Sequence, residues 1–443
     1  MDSLELPPPA VYVIRQLLPS PVYVVGGAVR RVFTGEPPSA DVDLVVQDFE
    51  RAKRVLRHFF EKEEYMVIKI HLGGCEIDVA GFRREVYDGV SRKPAVRPAE
   101  SIEEDAARRD FTINAMYFEV KEAADNRVYG RLVDLFGGAE DARRGLIRAV
   151  GDPVARIIED PLRMLRAVRF ASQLSFTIEE RTLEAIKTMA GEIARVSKER
   201  IRDELLKSLS HNAGRTVELL WETGLWRYVA PFLGPMAQVR HDGRGHHYGE
   251  TVLQHTIDAL YRLQKLHGKG DPVAALAVLL HDAGKPAVAR EDGGKITFHN
   301  HAEVSAEIAE RWAGEMRLPR SVIGQVVKAV ALHELLHQMA HSRTALAKFL
   351  VWHAEERGDV AELALKIVEA DLGRRLDDVR AAMREMLSTP KLIRGTDVMH
   401  LPPAARGWAL KKAREMQLAK GADAEELKKA VRGFVPPKRT PSV

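Results

Sequence analysis

Apolar residues follow two different rhythms along this chain. In the first part, four apolar runs of strand length alternate with helix-like stretches such as 50–60, and from about Asp152 onward apolar residues recur every three or four positions, as in 162–174. Strands bury short runs of side chains, whereas helices bury one face at three- and four-residue intervals. The pattern predicts an α/β head followed by a mainly helical remainder. The predicted strands are 22–25, 42–46, 67–70 and 77–80.

Residues that interrupt helices and strands indicate where these parts meet. They occur at Gly137-Gly138, across 231–235 and at Gly293-Gly294. We interpret the first two as seams between domains and the third as a turn within a domain. With 443 residues, the chain is too long for a single compact core, so we expect two to four domains.

The composition is typical of a soluble globular protein, with 45% apolar and 29% charged residues. The longest apolar runs, such as 273–280, are far shorter than the roughly 20 residues that span a bilayer. The N-terminus lacks the basic-then-apolar pattern of a signal peptide. A single cysteine, Cys75, excludes an internal disulfide and a cysteine-rich zinc site. We therefore expect a cytoplasmic protein without a membrane segment.

Positive charge is concentrated at the C-terminal end. Residues 401–443 contain ten Lys and Arg against four Asp and Glu, so this tail carries about +6 while the whole chain carries +4. Such a tail permits a nucleic-acid partner. A solvated helical tail that only confers solubility explains the charge equally well.

Gly26-Gly27 joins a strand-like run to a helical stretch that contains Arg30. Backbone N–H groups at the start of a helix are suited to receive an anion such as a phosphate. By itself the glycine pair is a weak signal, because a tight strand-to-helix turn with Arg30 on the surface has the same pattern.

Three carboxylates add chemistry to this turn. Asp41 and Asp43 lie two residues apart in a predicted strand, so both side chains point to the same face, and Asp78 comes from another predicted strand. Oxygen ligands in this arrangement suit hard divalent cations, although an exposed strand end would also tolerate them. Two such ions catalyse in-line attack on an α-phosphate: one activates a 3′-hydroxyl and the other stabilises the leaving pyrophosphate.

The segment 103–116 combines acids, a basic pair and an asparagine. Within it, Arg109 is suited to hold a triphosphate or a ribose. The alternative role of Arg109 is a surface salt bridge that contributes little to stability.

Four motifs in sequence order resemble those of the class II tRNA nucleotidyltransferases, the CCA-adding enzymes, and bacterial poly(A) polymerases share them. The motifs are Gly-Gly-Ala-Val-Arg at 26–30, Asp-Val-Asp at 41–43, Arg-Arg-Asp-Phe-Thr-Ile-Asn-Ala-Met at 108–116, and Glu-Asp-Pro-Leu-Arg-Met-Leu-Arg-Ala-Val-Arg-Phe at 159–170. The resemblance covers at least residues 21–230. It implies a polymerase-β-like mixed sheet in the head, followed by an all-α neck. One residue departs from the family pattern: Arg31 stands where the family usually has Asp.

The resemblance implies a set of site residues. Asp41, Asp43 and Asp78 are the expected catalytic carboxylates, with Mg²⁺ held by the first two. The expected nucleotide-binding residues are Gly26, Gly27, Arg30, Arg109, Asp110, Asn114, Asp160, Arg163, Arg166 and Arg169.

The same resemblance implies that Asp160 and Arg163 select the incoming base, with Arg166 and Arg169 nearby on the same helix. Cytosine and adenine both present an exocyclic amine beside an unprotonated ring nitrogen, so a carboxylate accepts from the amine while a guanidinium donates to the nitrogen. Guanine and uracil invert this order, and each mismatched group costs about 1–3 kcal/mol. The competing interpretation is that Glu159 and Asp160, before Pro161, only cap a helix; both roles are compatible.

The segment 83–98 is rich in breakers and basic residues and is predicted to be a mobile loop. Full-length CCA-adding relatives keep such a loop, which is linked to the switch from CTP to ATP, and relatives that add only CC have a shortened one. The resemblance therefore implies that this chain adds A.

The second half contains an ordered set of histidines and aspartates that follows the pattern of an HD phosphohydrolase domain, with the adjacent pair His281-Asp282 as its signature. Imidazole and carboxylate ligands suit a divalent metal such as Mn, Ni or Co, whose bound water hydrolyses phosphate esters. His337 competes with His333 for one position, and His299 competes with His301 for another. The expected ligands are His255, His281, Asp282, His301, His333 and Asp371.

Together these features predict a tRNA nucleotidyltransferase that adds CCA, or its terminal A, from CTP and ATP. Two alternatives remain: a poly(A) polymerase, and an HD phosphohydrolase with a vestigial RNA-binding head. The sequence does not indicate an oligomeric state. The predicted domains are a nucleotidyltransferase head at 1–145, a helical neck at 146–235, an HD domain at 236–385 and a basic, tRNA-binding helical tail at 386–443.

Overall fold

The computed structural model describes residues 3–59, 62–64, 66–86, 95–241, 250–293 and 295–435. The chain divides into two compact units: unit 1 comprises 1–197 and 222–228, and unit 2 comprises 198–221 and 229–443. No helix in the described ranges combines the length and the apolar character needed to cross a bilayer.

Unit 1 is built around a mixed sheet of eight strands. The strands of unit 1 are β1 (Ser3–Glu5), β2 (Val22–Val25), β3 (Asp41–Val46), β4 (Lys62–Glu64), β5 (Val67–Leu72), β6 (Cys75–Gly81), β7 (Arg83–Val86), β8 (Ala95–Pro98), β9 (Met116–Ala124), β10 (Arg127–Asp134), β11 (Leu146–Ile147) and β12 (Thr177–Ile178). The large sheet has the order β1-β10-β9-β2-β3-β6-β5-β4. In this sheet β3 and β6 pair in parallel, and all the other neighbouring strands pair antiparallel. Strands β7 and β8 form a separate antiparallel pair, and β11 pairs with β12 in parallel.

Alternation of apolar and polar residues explains why the central strands lie as they do. In β3, Val42 and Leu44 are buried while Asp41 and Asp43 are exposed. The buried face packs in one apolar core with residues of the first three helices, of which Ile14 is fully buried. The helices of unit 1 up to residue 197 are α1 (Pro8–Leu17), α2 (Gly27–Thr34), α3 (Phe49–Leu56), α4 (Ile102–Ala107), α5 (Gly138–Arg144), α6 (Pro153–Glu159), α7 (Leu162–Leu174) and α8 (Glu180–Met189).

Unit 2 is helical apart from one small hairpin, β13 (Arg290–Asp292) with β14 (Lys295–Thr297). Helix α9 (Lys198–Glu222), kinked at Asn212, and the short α10 (Trp226–Val229) both extend across the division between the units. The other helices are α11 (Leu233–Met236), α12 (Val252–His267), α13 (Pro272–Leu280), α14 (Lys285–Val288), α15 (His301–Glu315), α16 (Arg320–Met339), α17 (Arg343–Lys348), α18 (Gly358–Leu372), α19 (Asp377–Ser388), α20 (Pro403–Lys420) and α21 (Ala424–Arg432).

Helix α13 shows how local sequence positions the second site. The Asp271 carboxylate caps its start by accepting from the N–H of Ala274, and Pro272 occupies the first turn, where no N–H is needed. Its seven residues 274–280 are all buried. The helix therefore lies in the core of unit 2 and delivers His281 at its end.

The predicted fold class is confirmed: a mixed-sheet head is followed by a helical region and an HD domain. All four predicted strands are present. The helix predicted at 50–60 ends earlier, at Leu56, and position 60 lies outside the described residues. The seam predicted at Gly137-Gly138 stays a prediction; these residues lie inside unit 1, where a Cβ on Gly138 would come within 2.1 Å of the Thr112 carbonyl oxygen.

In unit 2, a buried ion pair joins α19 to α18. The Arg380 guanidinium donates to both carboxylate oxygens of Glu369, at 2.9 and 2.6 Å, and also to Glu362 at 2.9 Å. Burial alone would raise the pKa of Glu369, but its contacts with His267 and Arg380 outweigh burial and lower that pKa to about 2. Because the folded pKa lies below the unfolded value of about 4.3, the pair contributes stability above that pH and loses it as the pH falls towards 2.

We predict that Arg380→Met lowers the free energy of unfolding by about 3–5 kcal/mol, because it leaves the Glu369 carboxylate buried without its cation. Urea denaturation followed by circular dichroism measures the loss. The matched control is Arg375→Met, which removes an exposed pair with Asp377 and is expected to cost less than about 1 kcal/mol. Equal losses in the two variants would contradict a stabilising role of the buried pair.

Candidate active site and metal centre

The glycine turn lies directly against the carboxylate of Asp43, which the sequence predicts to be catalytic. Gly26 has φ +66° and ψ −135°, a backbone conformation that favours glycine, and a Cβ there would lie 2.9 Å from Oδ2 of Asp43. Gly27 begins α2, and the first N–H groups of a helix have no partner within it. The turn therefore brings helix-start N–H groups close to Asp43, as a phosphate-binding turn requires.

The parallel pairing of β3 with β6 places the carboxylates side by side. Asp43 lies opposite Asp78, and Asp41 lies opposite Glu76. Lys69 on β5 neutralises part of this charge, with its Nζ 3.1 Å from Oδ2 of Asp78. Among the residues that the structure describes, these head carboxylates do not form a three-ligand group within 4.8 Å.

Asp43 carries charge that its surroundings do not fully compensate. The residue is exposed, but protein atoms surround the carboxylate and partly remove it from water. This desolvation raises the pKa of Asp43, and the negative charges of Asp78 and Asp41 raise it further. The positive charge of Arg109 opposes these effects. A divalent cation bound here would relieve this repulsion. The donor set of the head therefore fits such an ion.

Arg109 is held beside these acids by a local network. Its Nε donates to the Tyr117 hydroxyl at 2.7 Å, Nη1 donates to the Asn114 carbonyl at 3.2 Å, and Nη2 lies 3.3 Å from Oδ2 of Asp105. The Tyr117 hydroxyl in turn donates to Asp105 at 2.6 Å. Arg109 is thus a fixed positive charge close enough to lower the pKa of Asp43.

Asp110 links the head to helix α7. Its Oδ1 accepts from the N–H of Phe111 at 2.8 Å and from Nδ2 of Asn114 at 3.1 Å, while Oδ2 accepts from Nε and Nη2 of Arg166 at 2.9 and 2.6 Å. Burial alone would raise the pKa of Asp110, but the charge and hydrogen bonds of Arg166, followed by those of Asn114 and Phe111, lower it to about 2. The carboxylate is therefore ionised at neutral pH.

Arg30 is predicted to bind nucleotide, but its guanidinium is buried among protein groups. It donates to Asn114 Oδ1 at 2.6 Å and to Glu36 at 2.8 Å. Three guanidinium carbons lie over the Phe170 ring: those of Arg30 at 5.1 Å, Arg166 at 5.4 Å and Arg169 at 3.9 Å from its centroid. The aromatic ring thus brings Arg30 of the first motif together with Arg166 and Arg169 of the fourth.

Asp160 lies in a break between helices, not on the same helix as Arg163 as the sequence interpretation had it. Helix α6 ends at Glu159 and α7 begins at Leu162, because Pro161 disfavours helical geometry in the preceding residue. The Asp160 Oδ1 accepts from the Leu162 N–H at 3.2 Å, so the helix-capping role is present.

The side chain of Arg163 is buried and firmly held. Its Nη1 donates to Glu159 Oε2 at 2.6 Å and to the Arg156 carbonyl at 2.9 Å, and its Nη2 donates to the Arg108 carbonyl at 2.6 Å. These contacts fix the guanidinium next to the Asp160 break.

The second half of the chain forms a buried cluster of metal-type ligands. Among the described residues there are three groups whose ligand atoms lie within 4.8 Å of one another; His255 belongs to two of these groups, and so does Asp282. All six predicted HD residues belong to the cluster, and the competing His299 and His337 are exposed. The groups are His241, His255 and Asp282; His255, His281 and Asp371; and Asp282, His301 and His333.

Backbone contacts set the orientation of three imidazoles. In His281, His301 and His333 the Nδ1 atom lies 2.6, 3.0 and 2.6 Å, respectively, from the carbonyl oxygen three residues earlier in the chain. Because a carbonyl oxygen only accepts, Nδ1 carries the proton and Nε2 presents a lone pair. A metal-binding histidine is typically oriented in this way.

The lone pairs converge on one another and on Asp282. Nε2 of His301 lies 3.3 Å from Nε2 of His333 and 3.4 Å from Oδ1 of Asp282. Among the described residues, Nε2 of His281 and Oδ1 of Asp282 are buried and have no hydrogen-bond partner. Facing lone pairs repel unless a cation lies between them, so these residues fit a divalent metal, and the mixture of imidazole and carboxylate suits Mn, Ni or Co.

Comparison with known families matches three consecutive parts of the chain. Residues 22–148 match the poly A polymerase head domain, 175–236 match the probable RNA and SrmB-binding site of polymerase A, and 252–386 match the HD domain.

Two curated relatives align over most of the chain. The A-adding tRNA nucleotidyltransferase of Deinococcus radiodurans is 32% identical over 402 residues, 85% of this chain and 86% of that protein. The CC-adding tRNA nucleotidyltransferase of Thermus thermophilus is 31% identical over 399 residues, 86% and 85% of the two chains. This chain belongs to the tRNA nucleotidyltransferase family.

Other relatives of this tRNA nucleotidyltransferase align over less of their length. The CCA-adding enzyme of Lactobacillus helveticus is 36% identical over 216 residues, so the chain spans about half of that enzyme, 52%. The solved structure of the Bacillus stearothermophilus CCA-adding enzyme in complex with CTP is similar over 96% of both chains, with a TM-score of 0.71 and 25% identity. Nucleotidyl transfer in this family uses divalent metal ions, and both acidic groups and histidines are available for them.

Some residues of the tRNA nucleotidyltransferase sites were not predicted from the sequence. Lys285 lies three residues after Asp282 and donates to its carboxylate. Because side chains three positions apart in a helical turn are neighbours, this spacing could have predicted the contact. His241 enters the HD cluster from a segment with several histidines, and nothing in the sequence selects it. Glu36 lies outside the four motifs, and Glu159 lies inside the fourth motif, but its contact with Arg163 was not predicted. Residues 87–94 of the predicted mobile loop lie outside the described residues.

We predict that Gly26→Ala slows nucleotidyl transfer at least tenfold, because the added Cβ contacts Oδ2 of Asp43 and forces the carboxylate to move. Steady-state kinetics measures the loss. The matched control is Gly35→Ala at the end of α2, which has a similar φ of +70° but open space around its Cβ. It is expected to cost about 1 kcal/mol of stability and to leave kcat unchanged. If both variants lose the same activity, backbone strain and not the contact with Asp43 is the cause.

Proposed function

We propose that this enzyme adds CCA, or its terminal A, to the 3′ ends of tRNA from CTP and ATP. The observation that carries the proposal is the parallel pairing that places Asp43 beside Asp78 and against the Gly26 turn. The relatives and the family models support the same chemistry. The 3′-hydroxyl of the tRNA attacks the α-phosphate of the nucleotide, a new phosphodiester forms, and pyrophosphate leaves.

Each group near the turn has a role in this reaction. Asp41 and Asp43 hold Mg²⁺, which supplies charge neutralisation and activation of the hydroxyl. Asp78 orients that hydroxyl from the neighbouring strand. The N–H groups at Gly27 receive phosphate oxygens, and Arg109 places a fixed positive charge beside them. Arg30, through its bonds to Asn114 and Glu36, keeps α2 in position.

Base selection falls to Asp160 and Arg163. The carboxylate accepts from the exocyclic amine of cytosine or adenine, and the guanidinium donates to the adjacent ring nitrogen. Guanine and uracil present the inverse order and lose about 1–3 kcal/mol for each mismatched group. The contacts of Arg163 with Glu159 and the Arg108 carbonyl support this role, because they restrict the directions in which its remaining N–H groups point.

Addition of the terminal A alone is a second candidate. The alignment with the A-adding enzyme of Deinococcus radiodurans, over 85% of this chain, favours it. The alignment with the CC-adding enzyme of Thermus thermophilus is of similar length and identity. Similarity over the whole chain therefore does not distinguish addition of A from addition of CC.

The basic tail at 401–443 suits contacts with tRNA phosphates in either case. We also infer that the protein works in the cytoplasm, where its one cysteine, Cys75, stays reduced.

We predict that purified protein extends tRNA lacking CCA, tRNA ending in C and tRNA ending in CC, and that GTP and UTP are used at least tenfold less well than CTP and ATP. Each tRNA is incubated with each nucleotide, and the products are resolved on a gel. Extension of the CC-ended tRNA only, with ATP, would establish the A-adding candidate.

We predict that Asp43→Asn abolishes every extension without unfolding the protein. The control variant Glu50→Gln changes an exposed acid on α3 and is expected to leave every extension unchanged. Nucleotidyl transfer by the Asp43→Asn variant would refute the catalytic assignment of Asp43.

The HD cluster supports a second activity, metal-dependent hydrolysis of phosphate esters. The observation that favours it is the convergence of unpartnered atoms, His281 Nε2 and Asp282 Oδ1, with the lone pairs of His301 and His333. Two divalent ions, of Mn, Ni or Co, would be held by His255, His281, Asp282 and Asp371 on one side and by Asp282, His301 and His333 on the other. A divalent ion held by these residues would lower the pKa of a bound water molecule and so supply the nucleophile for attack on phosphorus.

We predict that His281→Ala and Asp282→Ala abolish phosphate release from 2′-phosphate and 2′,3′-cyclic phosphate substrates while tRNA extension continues. Phosphate release is measured with Mn²⁺, Ni²⁺ or Co²⁺ added. His337→Ala serves as the matched control, because it lies exposed on the same helix as His333, and it should retain full hydrolysis. Hydrolysis that survives in both site variants would rule out catalysis by this cluster.

A further inference from the structure

The HD cluster has seven ligand side chains, one more than the two-ion arrangement proposed above uses. The additional residue is His241, whose ring is stacked on that of His255 with centroids 4.1 Å apart and an interplanar angle of 11°. The backbone N–H of His241 donates to the Glu250 carbonyl at 2.7 Å, and Val252 N–H donates to the Val239 carbonyl at 2.9 Å. Pairing with the start of α12 therefore fixes this histidine against the metal-type ligands.

His241, His255 and Asp282 form a third ligand group with atoms within 4.8 Å; it shares His255 with one of the other groups and Asp282 with the other, so His241 is the ligand that distinguishes it. Unlike the other two groups, this one already contains a cation. The Nζ of Lys285 lies 2.6 Å from His241 Nε2 and 2.6 Å from Asp282 Oδ2. Lys285 is buried, and its Nζ lies 5.4 Å from the centroid of the Phe298 ring.

The ammonium uses the same atoms that a metal ion would use. An ammonium group only donates, so His241 must accept with the Nε2 lone pair, and Asp282 Oδ2 accepts as a carboxylate. Both electron pairs are those with which imidazole and carboxylate bind a metal. A hydrogen-bonded ammonium and a divalent ion therefore cannot occupy this group together.

We propose that Lys285 is a built-in cation that fills the third ligand group of the HD centre, with His241 as its acceptor, and so limits the centre to two divalent ions. The inference rests on the proposed metal binding of the HD cluster. Charge supports it: only two of the seven ligand side chains, Asp282 and Asp371, are carboxylates. A third divalent ion beside the ammonium would place excess positive charge in a buried site.

The test compares the metal content of variants of the full chain. Wild type, Lys285→Met and Lys285→Gln are loaded with Mn²⁺ or Co²⁺, freed of unbound metal by gel filtration, and analysed by mass spectrometry for metal per chain. The neutral variants are expected to hold one more ion per chain than wild type. The double variant Lys285→Met with His241→Ala is expected to return to the wild-type count. Comparing counts between variants cancels any ion retained by the head.

Two controls separate the possible failures. Lys265→Met, an exposed lysine at the end of α12, should leave the count unchanged. If His281→Ala holds as much metal as wild type, the HD cluster does not bind metal and the proposed function of this site fails. If His281→Ala lowers the count but folded Lys285→Met and Lys285→Gln both keep the wild-type count, metal binding stands and the role of Lys285 is overturned. The Gln variant, which can still hydrogen-bond with Asp282, covers the case in which the Met variant does not fold.

Discussion

The buried carboxylate of Asp110 joins the head to helix α7, which carries Arg163, one of the two residues proposed to select the base. One oxygen binds Asn114, which also holds Arg30 on α2, and the other binds Arg166 on α7. Because the pKa of Asp110 is lowered to about 2, its charge is constant at any physiological pH. The glycine turn that is proposed to receive phosphate and the helix that carries Arg163 are therefore linked through one fixed charge, an arrangement suited to positioning a base and a triphosphate together.

The two proposed metal sites differ in the charge and burial of their ligands. In the head, carboxylates lie on adjacent strands with too little positive charge around them, so a cation would lower their mutual repulsion. In the HD cluster, backbone carbonyls orient the rings of His281, His301 and His333, and the neutral lone pairs converge in a buried space. The first site suits an ion that exchanges with each nucleotide. The second suits an ion that stays bound.

Local patterns were sufficient to predict the elements but not their partners. The alternation of Asp41, Val42 and Asp43 identifies β3 and the face of its acids, because one face of a strand is buried. That β3 pairs in parallel with β6, and so brings Asp78 to Asp43, depends on contacts between distant segments, and no local signal encodes it. The break at Asp160 was readable, since Pro161 follows it. The place of His241 in the HD cluster could not be predicted in this way, because it depends on stacking against the ring of His255, 14 positions later in the chain.

A protein that selects bases without a nucleic-acid template needs side chains that do not rotate. A free guanidinium could turn to satisfy guanine or uracil, and its conformational entropy would reduce the difference between right and wrong bases. Arg163 has lost that freedom, because Glu159 and the Arg108 carbonyl occupy its Nη groups. The stacking of Arg166 and Arg169 on Phe170 restrains their side chains in the same way. In the proposed selection of cytosine and adenine, the contacts of Arg163 with Glu159 and the Arg108 carbonyl would keep its base-reading donors in one direction.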